Sequence, residues 1–241
     1  MAMIDPWREL RGNHLLASLN AHDARLIASR LKRTRWDGGE RIDHDDPRFD
    51  YACFPETLVA CMAVASQGRE SGFLGMVGNE GMFGWQLPGA ARSSKQYITI
   101  VAPGTALTIS GRDLQSLCNA APTLAQSLFR YVDMFLDQLQ RTMLSHFCDP
   151  PSARLARWLL LLHDRIEGDD IEITHDQLAS ALHVRRATIT DCLHIIEGEL
   201  ALECNRGRIR VRNRQLLEKH ASNGYGDAER ADCAPAMHLD A

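Results

Sequence analysis

The chain has 241 residues, 45% hydrophobic and 24% charged, with a formal net charge of −4. That is the make-up of an ordinary globular protein of one large or two small domains, and it excludes a chain that binds nucleic acid through overall positive charge. No apolar run approaches the roughly 20 residues of a membrane span; the longest, Trp158-Leu-Leu-Leu-Leu162, runs into His163-Asp164-Arg165. The N-terminal stretch, Met1-Ala-Met-Ile-Asp-Pro-Trp-Arg-Glu9, is charged and lacks an apolar centre, so no signal peptide and no membrane partner are expected, and the default location is the cytoplasm. The seven cysteines, at 53, 61, 118, 148, 192, 204 and 233, contain no Cys-x-x-Cys pair. They read as small buried hydrophobes in a reducing compartment, with Cys53 and Cys148 the candidates for a redox role.

Leu15-Leu16, Leu19, Leu26-Ile27 and Leu31 recur at helical spacing, and Asn20-Ala-His-Asp23 suits a break and cap between two short helices. From Thr34 to about Ser110 the pattern changes. Turn clusters such as Asp37-Gly-Gly39, Gly78-Asn-Glu-Gly81 and Pro103-Gly104 separate short β-friendly runs such as Leu58–Val64 and Tyr97–Val101, which predicts an antiparallel sandwich or barrel. Ser110–Leu117 reads as a short helix. Ala121-Pro-Thr123 then opens a long one, to about Phe147 and roughly 40 Å in length. Its seam, Leu128, Val132, Phe135 and Leu139, continues in polar form through Thr142 and His146. Such a seam can pack on its own domain or on a second copy of the helix.

Cys148-Asp-Pro-Pro-Ser152 breaks the long helix and is the candidate hinge, with Asp149 placed to cap the helix from Ala153 to Ile166. Thr174 and Gln177 then have the spacing of a capping box. Leu178, Ala181 and Leu182 form the apolar face of a short helix, and a turn through His183-Val184 follows. In the next helix Ile189, Leu193 and Ile196 face inward, leaving Arg185, Arg186, Ala187, Thr190, Asp191 and His194 outside. That is helix-turn-helix geometry, whose second helix suits the major groove. Leu200–Cys204, the turn Asn205-Arg-Gly207 and Arg208–Arg212 read as a hairpin with Ile209 and Val211 on one face and arginines on the other, a wing for phosphates. Arg206, Arg208, Arg210, Arg212, Arg214 and Lys219 form a local basic stripe with Glu203 and Glu218 opposing it.

In these motifs and their order the chain resembles the Crp/Fnr family of bacterial transcription regulators over about residues 13–220. The likeness is carried by Ile173-Thr174, Arg185-Arg186-x-Thr188 and the wing Asn-Arg-Gly-Arg-Ile; Arg157–Arg165 also resembles one branch of the family. The resemblance implies an α+β fold: a cyclic-nucleotide-binding-like jelly-roll sandwich (1–119), a dimerisation helix and hinge (120–149), a winged helix-turn-helix (150–221) and a mobile tail (222–241). It implies a homodimer held through Leu128, Val132, Phe135 and Leu139 that binds a palindromic duplex operator, with RNA polymerase and a small-molecule effector as further candidate partners. Thr174, Arg206 and Arg208 would position the protein on phosphates, and Arg185, Arg186, Thr188 and Asp191 would lie at base edges. Members that respond to cyclic AMP carry Arg-Glu-x-x-x-Arg in the recognition helix; here the first arginine matches Arg186, while Ala187 and Asp191 stand at the other two positions. Arg186 can still hold guanine O6 and N7, and Asp191 can accept from cytosine N4.

The family's nucleotide cassette runs Phe-Gly-Glu-Leu, then an arginine and small residues. Phe83-Gly84 is present, but Trp85 replaces the glutamate, and Arg92 falls about five residues before the arginine position, near Tyr97. Phe83, Gly84, Trp85, Arg92 and Tyr97 are therefore the candidate ligand pocket, with tight cyclic-AMP binding not expected. Trp85 is either a plug or the wall of a pocket for something less polar. A regulator activated by cyclic AMP or another small ligand is the alternative. A cupin-like metalloenzyme is the remote one, since His44 is the lone histidine between His22 and His146. No catalytic residue, metal site or cofactor is assigned.

Overall fold

The computed structural model describes residues 10–66, 69–70, 72–84 and 95–226. Two short helices, α1 (His14–Ala17) and α2 (Ala21–Ala28), open it. Asn20 caps α2 by accepting from the backbone N–H groups of His22 and Asp23. Asn13 caps α1 and is buried, because its amide also donates to Pro55 O and Gly81 O at 2.8 Å each, pinning the helix to the strands behind it.

Among the described residues eight strands follow in chain order: β1 (Lys32–Trp36), β2 (Arg41–Asp43), β3 (Tyr51–Pro55), β4 (Val59–Ser66), β5 (Arg69–Glu70), β6 (Gly75–Val77), β7 (Lys95–Ala102) and β8 (Gly104–Ser110). They form two antiparallel sheets, β1-β8-β3 and β2-β7-β4-β5, with β6 also paired to β4. The two-residue period of a strand divides β4 and β7 between two cores. Ala60, Ile98 and Ile100 point between the sheets with Ile42 and Phe54, while Val59 and Cys61 face outward into a second core.

Helix α3 (Gly111–Ala120), capped by Ser110, leads into α4 (Pro122–Cys148), 27 residues long. Leu124, Leu128, Tyr131, Phe135, Gln138, Thr142 and Ser145 form its buried stripe against this one chain. The four residues expected at a dimer seam divide within this chain. Leu128 and Phe135 lie in the sandwich core, and Val132 and Leu139 pack partly against it. The stripe one residue along, Phe129, Leu136 and Met143, is the exposed one.

The C-terminal unit comprises α5 (Pro151–His163), β9 (Asp170–Glu172), α6 (His175–Leu182), α7 (Arg186–Gly198), β10 (Leu202–Asn205), β11 (Arg208–Val211) and α8 (Arg214–Ala221). The second core joins Leu155, Trp158, Leu178, Leu193, Ile209 and Leu217 to Val59, Cys61, Phe73 and Met76 of the sandwich. Three expectations change here. Asp149 does not cap α5; its Oδ2 accepts from Ser145 Oγ at 2.6 Å and closes α4 instead. Helix α5 ends at His163, and a turn with Gly168 at φ 82° returns the chain as β9. The segment from Ser222 is ordered as far as Gly226, because the buried Tyr225 donates its hydroxyl to Asp164 Oδ2 at 2.6 Å and accepts from Arg214 Nη2 at 2.6 Å. Residues 227–241, with Cys233, lie outside the described residues.

Candidate nucleic-acid interface

The helix pair forms for local reasons. Thr174 accepts from Gln177 N while Gln177 Oε1 accepts from Thr174 N at 2.8 Å, which satisfies donors that a helix start leaves open. Helix α6 ends at His183, held at φ 51°, and Val184 N donates back to Ala179 O at 3.0 Å. This left-handed residue reverses the chain into α7. Leu178, Leu182, Ile189, Leu193 and Ile196 are buried, whereas Ala181 is only partly so.

Helix α7 presents Arg185, Arg186, Ala187, Asp191 and His194 to solvent, with Thr188 and Thr190 half-buried. Arg186 Nε lies 3.3 Å from Asp176 Oδ1 of α6, an ion pair exposed on both sides. Such a pair stabilises little and is readily exchanged for another acceptor. Asp191, the other candidate base contact, is exposed one turn beyond Ala187. Thr174, at the start of α6, is exposed and carries its hydroxyl beside the first free N–H groups of that helix.

The wing is a three-stranded sheet, β10-β11-β9, rather than the two-stranded hairpin that the arginine pattern suggested. Ile209 and Val211 are buried and Arg208, Arg210 and Arg212 exposed. The third strand brings Asp170, which accepts from Arg210 Nε and Nη2 at 2.9 and 2.6 Å and lies 3.8 Å from Arg208. The Arg210 guanidinium holds that carboxyl below its ordinary pKa, so Asp170 is an anion within the basic stripe. Arg212 pairs with Glu203 at 3.1 Å, and Arg214 turns inward onto Asp164. Arg206 stands at the exposed hairpin tip beside Gly207, whose φ is 75°. Several cations of the stripe are thus already paired with acids, Arg208 and Arg210 with Asp170, Arg212 with Glu203 and Arg214 with Asp164.

Of the candidate ligand-pocket residues, the described ones, Phe83, Gly84 and Tyr97, do not converge. Phe83 is buried between the sheets, its backbone paired with Cys53. Tyr97 lies on the outer face of β7 under the Arg41 guanidinium, 3.8 Å from its centroid. Gly84 holds φ 76°, and a Cβ there would fall 2.1 Å from Tyr51 O. A Cβ on Gly81 would fall 1.9 Å from the Tyr131 ring, which stacks on Phe135 at 6.2 Å. The glycines of this stretch therefore serve close packing of strand, turn and long helix. Trp85 and Arg92 lie outside the described residues. Burial pushes the Cys53 and Cys61 thiols up to about 12, which makes them poor thiolates, while Cys148 is exposed. Among the described residues no group of three or more His, Cys, Asp and Glu side chains is placed to hold a metal, and no helix is long and apolar enough to cross a membrane.

Sequence reasoning missed the set of polar links between sandwich and helix-turn-helix, which no local pattern announces. Phe73 N donates to Ala181 O at 2.6 Å. Arg154 Nη2 donates to Leu182 O and to His146 Nδ1, so His146 is neutral there and its Nε2–H points to Phe73 O at 3.3 Å. Burial first, then the Arg154 charge, hold the imidazole below its ordinary pKa; Arg157 and His183 add to this. A histidine with a lowered folded pKa gives its full stabilisation above its unfolded value of about 6.5 and loses it as the pH falls toward the folded one. Melting curves should therefore show a stability loss from pH 7.5 to 5.5 that His146→Gln reduces, since glutamine can accept and donate without titrating. An identical pH response in that variant would exclude His146 as the source.

A Crp-like helix-turn-helix domain profile matches residues 153–220. No curated protein sequence matches the chain. Among solved structures the chain is similar to a proposed Crp/Fnr-family transcriptional regulator from Eubacterium rectale, at TM-score 0.65 and 16% identity, over 88% of this chain and 99% of that one. It is similar to TTHB099, a CRP-family transcriptional regulator from Thermus thermophilus, at TM-score 0.64 and 16% identity, over 79% and 97%. FixK2 from Bradyrhizobium japonicum follows at TM-score 0.63 and 16% identity, over 80% and 98%. Residues 153–220 thus form a Crp-like helix-turn-helix domain, and the chain as a whole shares the fold of these solved Crp/Fnr-type structures.

Proposed function

We propose that the protein is a homodimer that recognises a two-fold-symmetric operator and does so without cyclic AMP. The observation that carries the DNA reading is the solvent-facing N-terminal half of α7, linked to the start of α6 by the pairing of Arg186 with Asp176 and of His175 with Thr190. Arg186 exchanges Asp176 for a guanine edge, Asp191 accepts from a cytosine, Arg185 and Thr188 flank them, and Thr174, Arg206 and Arg208 hold phosphates. Independence from cyclic AMP is supported by Trp85 at the glutamate position and by Tyr131 and Phe135, whose rings fill the space between the long helix and the strands at Gly81 and Gly75. Dimerisation is supported by the free apolar face of α4.

Operator affinity is the test. On a site selected from random DNA, Arg186→Ala should lose about 1–3 kcal/mol, roughly 5- to 150-fold, and accept other bases at one position per half-site. Unchanged affinity and selectivity in gel-shift titration would remove Arg186 from base reading. Calorimetry with cyclic AMP should show no binding; micromolar affinity together with tighter operator binding would reverse the second half of the reading.

A further inference from the structure

Between the outer face of the sandwich and the first helix of the helix-turn-helix lies a cavity of about 160 Å³. Strand β4 contributes Cys61 and Ala63 and β7 contributes Tyr97 and Thr99; Phe73 and Trp158 add two more rings. Gln177 and Ser180 of α6 close the side toward the DNA-binding helices, and Arg41 lies over Tyr97. This is a different place from the space between the sheets and α4. It lies across the seam between the two units.

We propose that this cavity is an effector site for a monocyclic aromatic carboxylate, and that its occupant changes operator affinity. The size fits one ring, since a dry cavity near 150 Å³ holds benzene. Three aromatic side chains supply the faces and edges on which a ring packs. The polar groups of the wall are mainly donors, the Thr99 and Ser180 hydroxyls, the Gln177 amide and the Arg41 guanidinium, and they suit an anionic acceptor. Arg41 is 36% exposed in its side chain and already shared with Asp43 at 2.9 Å, so the carboxylate would stay near water and avoid the cost of full burial. The Trp158 indole N–H, in a ring of the same wall, is buried and meets no acceptor among the described residues. A buried donor left unmet calls for an absent water or ligand nearby.

The route to DNA is short. Gln177, a wall residue, accepts from the backbone N–H of Thr174, the expected phosphate contact. Next to the cavity, Phe73 N donates to Ala181 O, and a Cβ on Gly72 would fall 2.9 Å from that oxygen. A ligand held between the sheet and α6 bears on both sides of this seat, and a shift of α6 would be passed to α7 through their shared core.

This inference rests on the reading of the chain as a DNA-binding regulator. Titration of the full chain with benzoate should show saturable binding with a Kd below about 1 mM, and cyclohexanecarboxylate should bind more weakly. Ala63→Leu, which fills the cavity from β4, should weaken benzoate binding at least about tenfold. Thr99→Val keeps the wall's shape and should weaken it less. Benzoate should change wild-type operator affinity by about fivefold or more and leave that of Ala63→Leu unchanged. No saturable binding, or binding that Ala63→Leu does not reduce, would overturn the site. Binding with no effect on operator affinity would overturn the effector role. Failure of both free and loaded protein to retain any operator would instead refute the regulator reading, with the calorimetric result standing.

Discussion

Arg165→Ala is expected to destabilise the fold by about 3–5 kcal/mol, the cost of stranding one partner of a buried ion pair. Arg165 Nε donates to Glu80 Oε1 at 2.9 Å, and the two side chains are 0% and 4% exposed. Arg165 also donates to Leu161 O at 2.7 Å, and Glu80 accepts from Gly78 N. One residue sits just beyond α5 and the other in the Gly78–Gly81 turn, so the pair fastens the C-terminal unit to the sandwich. A Cβ on Gly78 would come within 2.9 Å of Arg165 Cγ, so the turn leaves the arginine no second path. Urea denaturation is the measurement. Glu80→Gln combined with Arg165→Met should recover much of the loss, because no buried charge is left alone. If the single substitution costs less than about 1 kcal/mol, the pair is not a buried one in solution.

The features legible in the sequence are those fixed within a few residues. The capping box, the turn through His183-Val184 and the inward triplet Ile189, Leu193 and Ile196 all follow from local spacing, and the structure holds them as expected; the left-handed φ of His183 is added by the structure. The seam of α4 was not legible because the helix carries two adjacent apolar stripes. Their order depends on Gln138, a polar residue buried by two hydrogen bonds to the Met76 backbone at 2.7 and 3.1 Å, which draws its own stripe inward. The counter-charge Asp170 escaped notice because it lies 40 residues from Arg210 in sequence and reaches it only through strand pairing. The family's cassette pattern groups Tyr97 with Phe83, whereas Phe83 pairs with β3 and lies between the sheets, and Tyr97 lies on the outer face of β7. The same alternation opens the outer face of β7 to the cavity.

Leu136→Glu together with Met143→Glu should convert the proposed dimer to monomer and lower operator affinity by about 10²- to 10⁴-fold, the loss that follows when two linked half-site contacts become one. The exposed face of α4 carries Phe129, Leu136, Met143, Leu144 and Phe147, with Phe147 83% and Phe129 67% exposed. Phe129, Leu136 and Met143 step by seven along a helix of 27 residues, the repeat that lets two such helices seat against each other. So large an apolar face left open to water is unusual for a monomer. It runs on to Cys148, immediately before the hinge into α5, so helix pairing would also set the spacing of two recognition helices. Neither substitution touches the buried stripe of Leu128, Tyr131 and Phe135, so each chain should fold and keep its weak affinity for a single half-site. Sedimentation reads the mass and gel shift reads the affinity. A wild-type chain that sediments as a monomer at micromolar concentration, yet binds a palindrome as tightly as the reading requires, would show that DNA rather than the long helix brings two copies together.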